Sequence, residues 1–337
     1  MTLNLSSDTP LDKVLIAQYF NLRSDCGLLE LSTYQVIELI GEDRITWLQG
    51  QITNDLYSLE QGDFIRFCIC QPTGQIIGLG RVWKLSTSLI LIMDNQSIEN
   101  FLKRCEQSII LEDVKPVLRE GLFLSLQGPL SEKYLAERLG FSPGKTGYLE
   151  IEGMRMYYFK SPRIEDQGWD LLIENPDQPS LEKWTKPFSK INQSIFRIAC
   201  LESGIPEMGV DIHSKTLVPE LGPAFEHFHI SYQKGCYTGQ EVLMRLHSRG
   251  HTNKTWMALC TQQKIEPDAI FSHSHFENAG KLTSVCWSPK FGFLAGAYLR
   301  KEIAREGERI LVQDSKNSQE AQVHSMPLYT FADGAGL

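Results

Sequence analysis

The residue types with the most chemistry in them sit together in "KGCYTGQE", Lys234 to Glu241, where a cysteine stands between glycines at 235 and 239 with a lysine two residues before it. The thiolate, not the thiol, is the nucleophile and metal ligand, and an ammonium or a helix N-terminus nearby raises its fraction. The spacing predicts a helix from about Thr238 to Leu246, with Cys236 at its start, Lys234 beside it and Glu241 as a first-turn carboxylate. Gly235 and Gly239 free the backbone for positive φ or for close approach of a ligand. The competing reading is an inert thiol, because free cysteine is among the most buried residue types. From Lys234 to Lys254 the chain also carries Arg245, His247, Arg249 and His251 against one acid, Glu241. That is either a positive patch for a phosphate or carboxylate or a solvated helix face.

Two further segments carry polar groups that suit a ligand. In "LESGIPEMGVD", Glu202 closes a helix ahead of a Gly-Ile-Pro turn that leads to Asp211. A carboxylate there accepts paired N–H donors from a flat heterocycle, or serves as a cap. In "WLQGQITNDL", Asn54 and Asp55 either face a ligand or close the helix through Asx turns.

These segments need a scaffold. "DFIRFCICQPTGQIIGLGRV", 63 to 82, reads as a hairpin around Pro-Thr-Gly, and its Cys68 and Cys70 share one strand face as small hydrophobes. "LILIMD" follows as a strand, then "SIENFLKRCEQS" as a helix with Ile98, Phe101, Leu102 and Cys105 on one face, then "EGLFLSLQG" as a strand. The order returns as helix "SEKYLAERLG", strands "YLEIEGMRMYYF" and "GWDLLIEN", and helices over 181–190 and 194–203. Two interleaved α+β units over 1–251 are expected. From 252 to 337 helical periodicity gives way to short strand-like runs, "TWMALCTQ", "GKLTSVCWSP", "GFLAGAYL", "ERILVQ" and "AQVHSMPLY", the pattern of a small barrel or sandwich.

Composition narrows the function. The 337 residues exceed one ordinary core, and 33 Lys plus Arg against 41 Asp plus Glu leave a formal charge of -8, which disfavours a general nucleic-acid surface. No long apolar run or signal-peptide pattern directs the chain to a membrane. The eight cysteines lack a CxxC pair, so reduced thiols in the cytoplasm are expected, with no metal site of their own.

Taken together, "KGCYTGQE", "LQGQITNDL", "GIP" with "VPE", and "GKLTS" with "SP" and "AYL" resemble the YgfZ family, the folate-binding, iron-sulfur-related relatives of the glycine cleavage T-protein. The resemblance runs from about residue 25 to 330. It implies an α+β fold with two ferredoxin-like domains and a C-terminal β-barrel in a T-protein-like ring around a folate site, with tetrahydrofolate or a one-carbon derivative as cofactor. It also implies that Cys236 is the residue on which function depends, that Glu202 reads the pterin, that Lys234 lies near the folate, and that Asn54 and Asp55 match the T-protein "TND" step. Arg245 joins the folate-binding candidates through the basic run.

One departure separates close relatives. T-proteins carry an acidic pair in the second hairpin, whereas "QPTGQIIGLGRV" has Ile76, Ile77 and Gly78 and no carboxylate. An aminomethyltransferase without that group loses a term of ~10² to 10⁴ in rate. The expectation is therefore a tetrahydrofolate-binding factor for iron-sulfur client or assembly proteins, with Cys236 engaging a cluster, a persulfide or a one-carbon adduct. The alternatives are a folate-dependent one-carbon transferase and a scaffold that holds folate as a structural ligand. Stable cluster storage by one thiol is disfavoured by ligand count, since clusters usually take four protein ligands, which leaves transient or intermolecular contact open.

Overall fold

A computed structural model describes residues 11–151, 153–164 and 167–329. The chain opens with α1 (Lys13–Ser24) and β1 (Gly27–Glu30), then enters β2 (Tyr34–Ile40), α2 (Arg44–Gln49), β3 (Phe64–Cys70), β4 (Ile76–Lys84), β5 (Leu89–Asp94), α3 (Asn95–Ser108) and β6 (Lys115–Arg119). It continues through β7 (Leu122–Gln127), α4 (Ser131–Leu139), β8 (Thr146–Ile151), β9 (Met154–Lys160), β10 (Gly168–Glu174), α5 (Gln178–Thr185), β11 (Ser189–Lys190) and α6 (Gln193–Glu202). After a 3₁₀ turn at Val218–Leu221 come α7 (Pro223–His229) and α8 (Gln240–Arg249). The strands β12 (Lys254–Thr261), β13 (Ile270–His273), β14 (Phe276–Ser288), β15 (Gly292–Arg300), β16 (Arg309–Gln313) and β17 (Ser318–His324) complete the chain.

β2 to β6 form a five-stranded sheet in the order β3-β4-β5-β2-β6, and β1 with β7 to β11 form a six-stranded sheet in the order β11-β1-β7-β10-β9-β8. The first sheet is thus inserted between strands of the second. The last six strands close into a barrel. Five of them match the strand-like runs of the sequence; β13 was hidden because it is only four residues long, with Ile270 exposed and two polar residues. The helix expected over 181–190 ends at Thr185, and Ser189–Lys190 instead pair in parallel with Gly27 and Leu28 of β1.

Local chemistry explains the elements that matter for the site. Asp94 caps α3 by accepting from Ser97 N at 2.9 Å, and Ile98, Phe101 and Cys105 are buried on one side of that helix. Asn192 caps α6 in the same way through Ser194 N, 2.8 Å. The β3–β4 hairpin turns at Gly74, φ +86, with Gln71 N donating to Gln75 O at 2.8 Å.

Alternation on that hairpin sets the tertiary plan. Phe67, Ile69 and Val82 face inward onto Trp47, Leu48, Ile98 and Phe101, the core of their own unit. On the other face Trp83 joins a cluster with Phe123, Phe159, Leu172 and Ile195 of the six-stranded unit, with Phe64 packed against it. At the far end Cys68, Cys70 and Ile76 join Trp256, Ala258, Leu294 and Tyr298 of the barrel. The barrel end meets the six-stranded unit through the chain after β17, where Leu328 N and Tyr329 N donate to the Glu202 carbonyl at 2.8 and 3.0 Å. Each of the three bodies therefore touches the other two.

Candidate functional site

The two motifs that stand out in sequence dock on each other. Lys234 is 7% exposed, and its ammonium donates to the carbonyls of Gln49, Ile52 and Asn54 at 2.6, 2.7 and 2.8 Å. These three bonds use all the donors an ammonium has. Ser231 N to Thr53 O, 3.0 Å, and Thr238 N to Gly50 O, 3.2 Å, continue the seam. Burial pulls the Lys234 ammonium down to about 7, opposed by the Asp55 carboxylate. The residue is a clasp between two loops rather than a cation held out to a folate, a correction to the sequence expectation.

The same docking positions Cys236. Gly239 has φ +90, and a Cβ there would lie 2.6 Å from Gln71 O and 3.0 Å from the Cys70 Cβ, so the hairpin turn presses against it and only glycine fits. Gly235 has open space around it and no positive φ. Between them Cys236 is exposed, the one exposed thiol of the eight. α8 begins at Gln240, two residues later than expected, so Cys236 lies outside its first turn, where the dipole effect fades. The Lys234 ammonium is turned inward, onto the carbonyls of Gln49, Ile52 and Asn54. What distinguishes Cys236 is access. Burial pushes the thiols of Cys26, Cys70, Cys105, Cys200 and Cys286 up to about 12, and raises Cys68 and Cys260 too. Among the described residues no group of three His, Cys, Asp or Glu is placed to hold a metal ion.

Other expected ligand contacts are already spent inside the protein. Asn54 Nδ2 donates to Arg66 O and Phe228 O at 2.9 and 3.0 Å, and its Oδ1 accepts from Asp55 N at 2.9 Å. Asp55 Oδ1 accepts from Gln49 Nε2, 2.7 Å, and Tyr57 N, 3.1 Å. The turn reading applies to both. Glu202 is 0% exposed; Arg23 Nη2 sits 2.5 Å from its carboxylate, and the Tyr19 hydroxyl lies 3.1 Å from each oxygen. The carboxylate is paired with α1, which no local reading of "LESGIP" could show, through Arg23 on Oε2 and the shared Tyr19 hydroxyl. Arg245 is exposed on α8, and His247, Arg249 and His251 of the basic run are exposed with it.

The interior holds a group of cations that the motif reading missed. Arg66 of β3 and Arg81 of β4 are direct cross-strand partners, between the Phe64–Trp83 pair and the Cys68–Leu79 pair on the face shared with the other two bodies. Both are half-buried. Arg163, from the β9–β10 loop, is buried beside them and makes a bidentate pair with Asp170, 2.9 and 2.8 Å. Tyr34 lies under the Arg163 guanidinium at 4.5 Å. Neutral His229 is at hand: burial, then Arg66, drives its pKa well below the usual value, while Nδ1–H donates to Phe225 O at 2.8 Å. The signal was present in the sequence as one arginine per hairpin arm, in phase with Cys68 and Cys70.

The fold and the match of residues 6–175 to the GCVT N-terminal domain model place this chain in that family. It is similar to the tRNA-modifying protein YgfZ of Colwellia psychrerythraea, 26% identical over 74% of this chain and 77% of that protein. It is also similar to an aminomethyltransferase of Thermoanaerobacter pseudethanolicus, 22% identical over 71% of this chain and 68% of that one. In three dimensions it matches the crystal structure of the glycine cleavage system aminomethyltransferase T from Bartonella henselae, with a TM-score of 0.82, 18% identity and coverage of 94% and 89% of the two chains. No helix among the described residues is long and apolar enough to cross a membrane.

Proposed function

We propose that this chain binds a reduced folate between its three bodies and uses Cys236 to assist the assembly or upkeep of iron-sulfur proteins. The observation that carries the reading is the signature loop: it is clasped through Lys234, seated through Gly239, and leaves one thiol in the open while the other seven are covered or partly covered. A packing cysteine needs no such frame. The same sheet face that seats the loop through Cys68 and Cys70 carries Arg66 and Arg81 further along, so a ligand on the arginines and a partner at Cys236 would be served by one rigid surface.

Arg66 and Arg81 suit the carboxylates of a folate tail, whereas the Lys234 ammonium has no donor left for them. Aminomethyl transfer is disfavoured, because the second hairpin arm offers Ile76, Ile77 and Gly78 where a substrate-orienting carboxylate would be needed. We take the RNA connection in the relatives' name as indirect, since a net charge of -8 opposes a broad phosphate-binding surface. The test is calorimetric titration with tetrahydrofolate, paired with complementation by Cys236→Ser in cells that lack the protein. Folate binding with failed complementation supports the reading; full restoration of iron-sulfur enzyme activity by the variant sinks it.

A further inference from the structure

We infer that the opposed arginines Arg66 and Arg81 form an internal oxyanion-binding site at the junction of the three bodies. For its ligand class the inference leans on the folate reading; for the site itself it does not. Like charges directly opposite across a strand pair are destabilising, and this pair is set where the hairpin face is enclosed by two apolar clusters. A guanidinium has five N–H donors and no acceptor. Arg66 gives one bond to Pro162 O at 3.0 Å and rests on the Phe228 ring at 5.2 Å. Arg81 makes no ion pair among the described residues, and its buried Nε meets no hydrogen-bond partner there.

The neighbouring carboxylate cannot serve them. Asp170 is committed to Arg163 and also accepts from Ser125 Oγ at 2.8 Å. The immediate group is thus three guanidiniums and one carboxylate. Burial and the charges of Arg163 and Arg66 pull Arg81 down to about 9, and burial with Arg163 brings Arg66 to about 10; both remain cationic at neutral pH. An arrangement that costs stability in the free protein is offset once a dianion enters, because planar guanidinium forks match carboxylate and phosphate oxygens two at a time. The shared chemistry is a small oxyanion, from the glutamate end of a folate or from a free phosphate.

The experiment uses the full chain, wild type, Arg81→Met and Arg66→Met, with p-aminobenzoylglutamate, 6-methyltetrahydropterin and inorganic pyrophosphate as titrants. If the folate tail is the source, p-aminobenzoylglutamate binds the wild type in a salt-sensitive manner and each variant loses about tenfold or more. Binding of 6-methyltetrahydropterin, which has no carboxylate, stays unchanged. If the source is free phosphate, pyrophosphate raises the melting temperature of the wild type and not of Arg81→Met, and the folate reading alone falls when neither folate fragment binds. Without ligand, Arg81→Met should melt at or above the wild-type temperature, since it removes one of two repelling charges. Wild-type affinity of Arg81→Met for both anions, or a melting temperature well below wild type without ligand, overturns the oxyanion site while leaving pterin binding to stand by itself.

Discussion

Lys234 and Arg81 are both cations taken from water without a carboxylate of their own, and they end in opposite states. The Lys234 ammonium has three backbone carbonyls within 2.8 Å, from the last residue of α2 and the loop after it. Arg81 has a second arginine across the ladder and an Nε without a partner among the described residues. A buried cation whose donors are all used holds structure together; one with donors to spare is suited to a ligand that brings the acceptors. The site residues read from sequence motifs fall mostly into the first group, and the strongest binding candidates fall into the second.

The sharpest way to break this contrast is Lys234→Met. It strips three buried carbonyls of their donor, and since each orphaned polar group costs about 1–3 kcal/mol, the variant should lose about 3 kcal/mol or more. Chemical denaturation reads this as a lower midpoint; an unchanged midpoint would remove Lys234 from the structural class. Arg81→Met, by contrast, should not destabilise at all.

Glu202→Gln comes next. Removing the charge of Glu202 takes away a charged hydrogen-bond partner from Arg23, for about 1.5–3 kcal/mol, and the double variant Arg23→Met with Glu202→Leu should regain part of it. The main effect is thus on stability, whereas the resemblance implies a pterin contact for Glu202. A Glu202→Gln protein as stable as wild type, with selectively weakened pterin binding, would return this residue to the ligand class.

A smaller effect is expected from His229. Its folded pKa lies well below 6.5, so below that pH the unfolded chain takes up a proton that the folded one refuses. The stability it contributes is full above pH 6.5 and is lost as pH falls, by at most about 1.4 kcal/mol per pH unit. Melting temperatures from pH 7 to 4.5 should drop less steeply in His229→Gln; parallel curves would mean the imidazole is reachable by protons in the fold.

Least costly is Cys236→Ser, an exposed substitution expected to change stability by no more than about 0.5 kcal/mol. Iodoacetamide should modify one thiol rapidly in native wild type and none rapidly in the variant. Rapid labelling of a second cysteine, or slow labelling of Cys236, would remove the accessibility on which its proposed role depends.

Local periodicity carried much of the fold. The β3–β4 hairpin, α3 and α6 were readable because alternation, capping residues and helical spacing act within a few neighbours. "KGCYTGQE" and "LQGQITNDL" were readable as places of interest for the same reason, through glycines and short polar side chains that ordinary helices and strands do not need. The in-phase arginines of β3 and β4 were also visible, since strand alternation puts 66, 68 and 70 on one face; that this face is enclosed was not.

By itself, the sequence determined the β3–β4 hairpin, α3, α6 and five of the six barrel strands, and that Cys236 sits in a glycine-framed loop. Only the tertiary structure decided which polar groups remain available. Arg23 reaches Glu202 across 179 positions, Lys234 reaches Gln49 across 185, and these long-range partners neutralise groups whose local setting looked open. The physical reason is that desolvation and hydrogen-bond saturation depend on everything packed around a side chain, whereas backbone conformation answers mainly to the residues next to it.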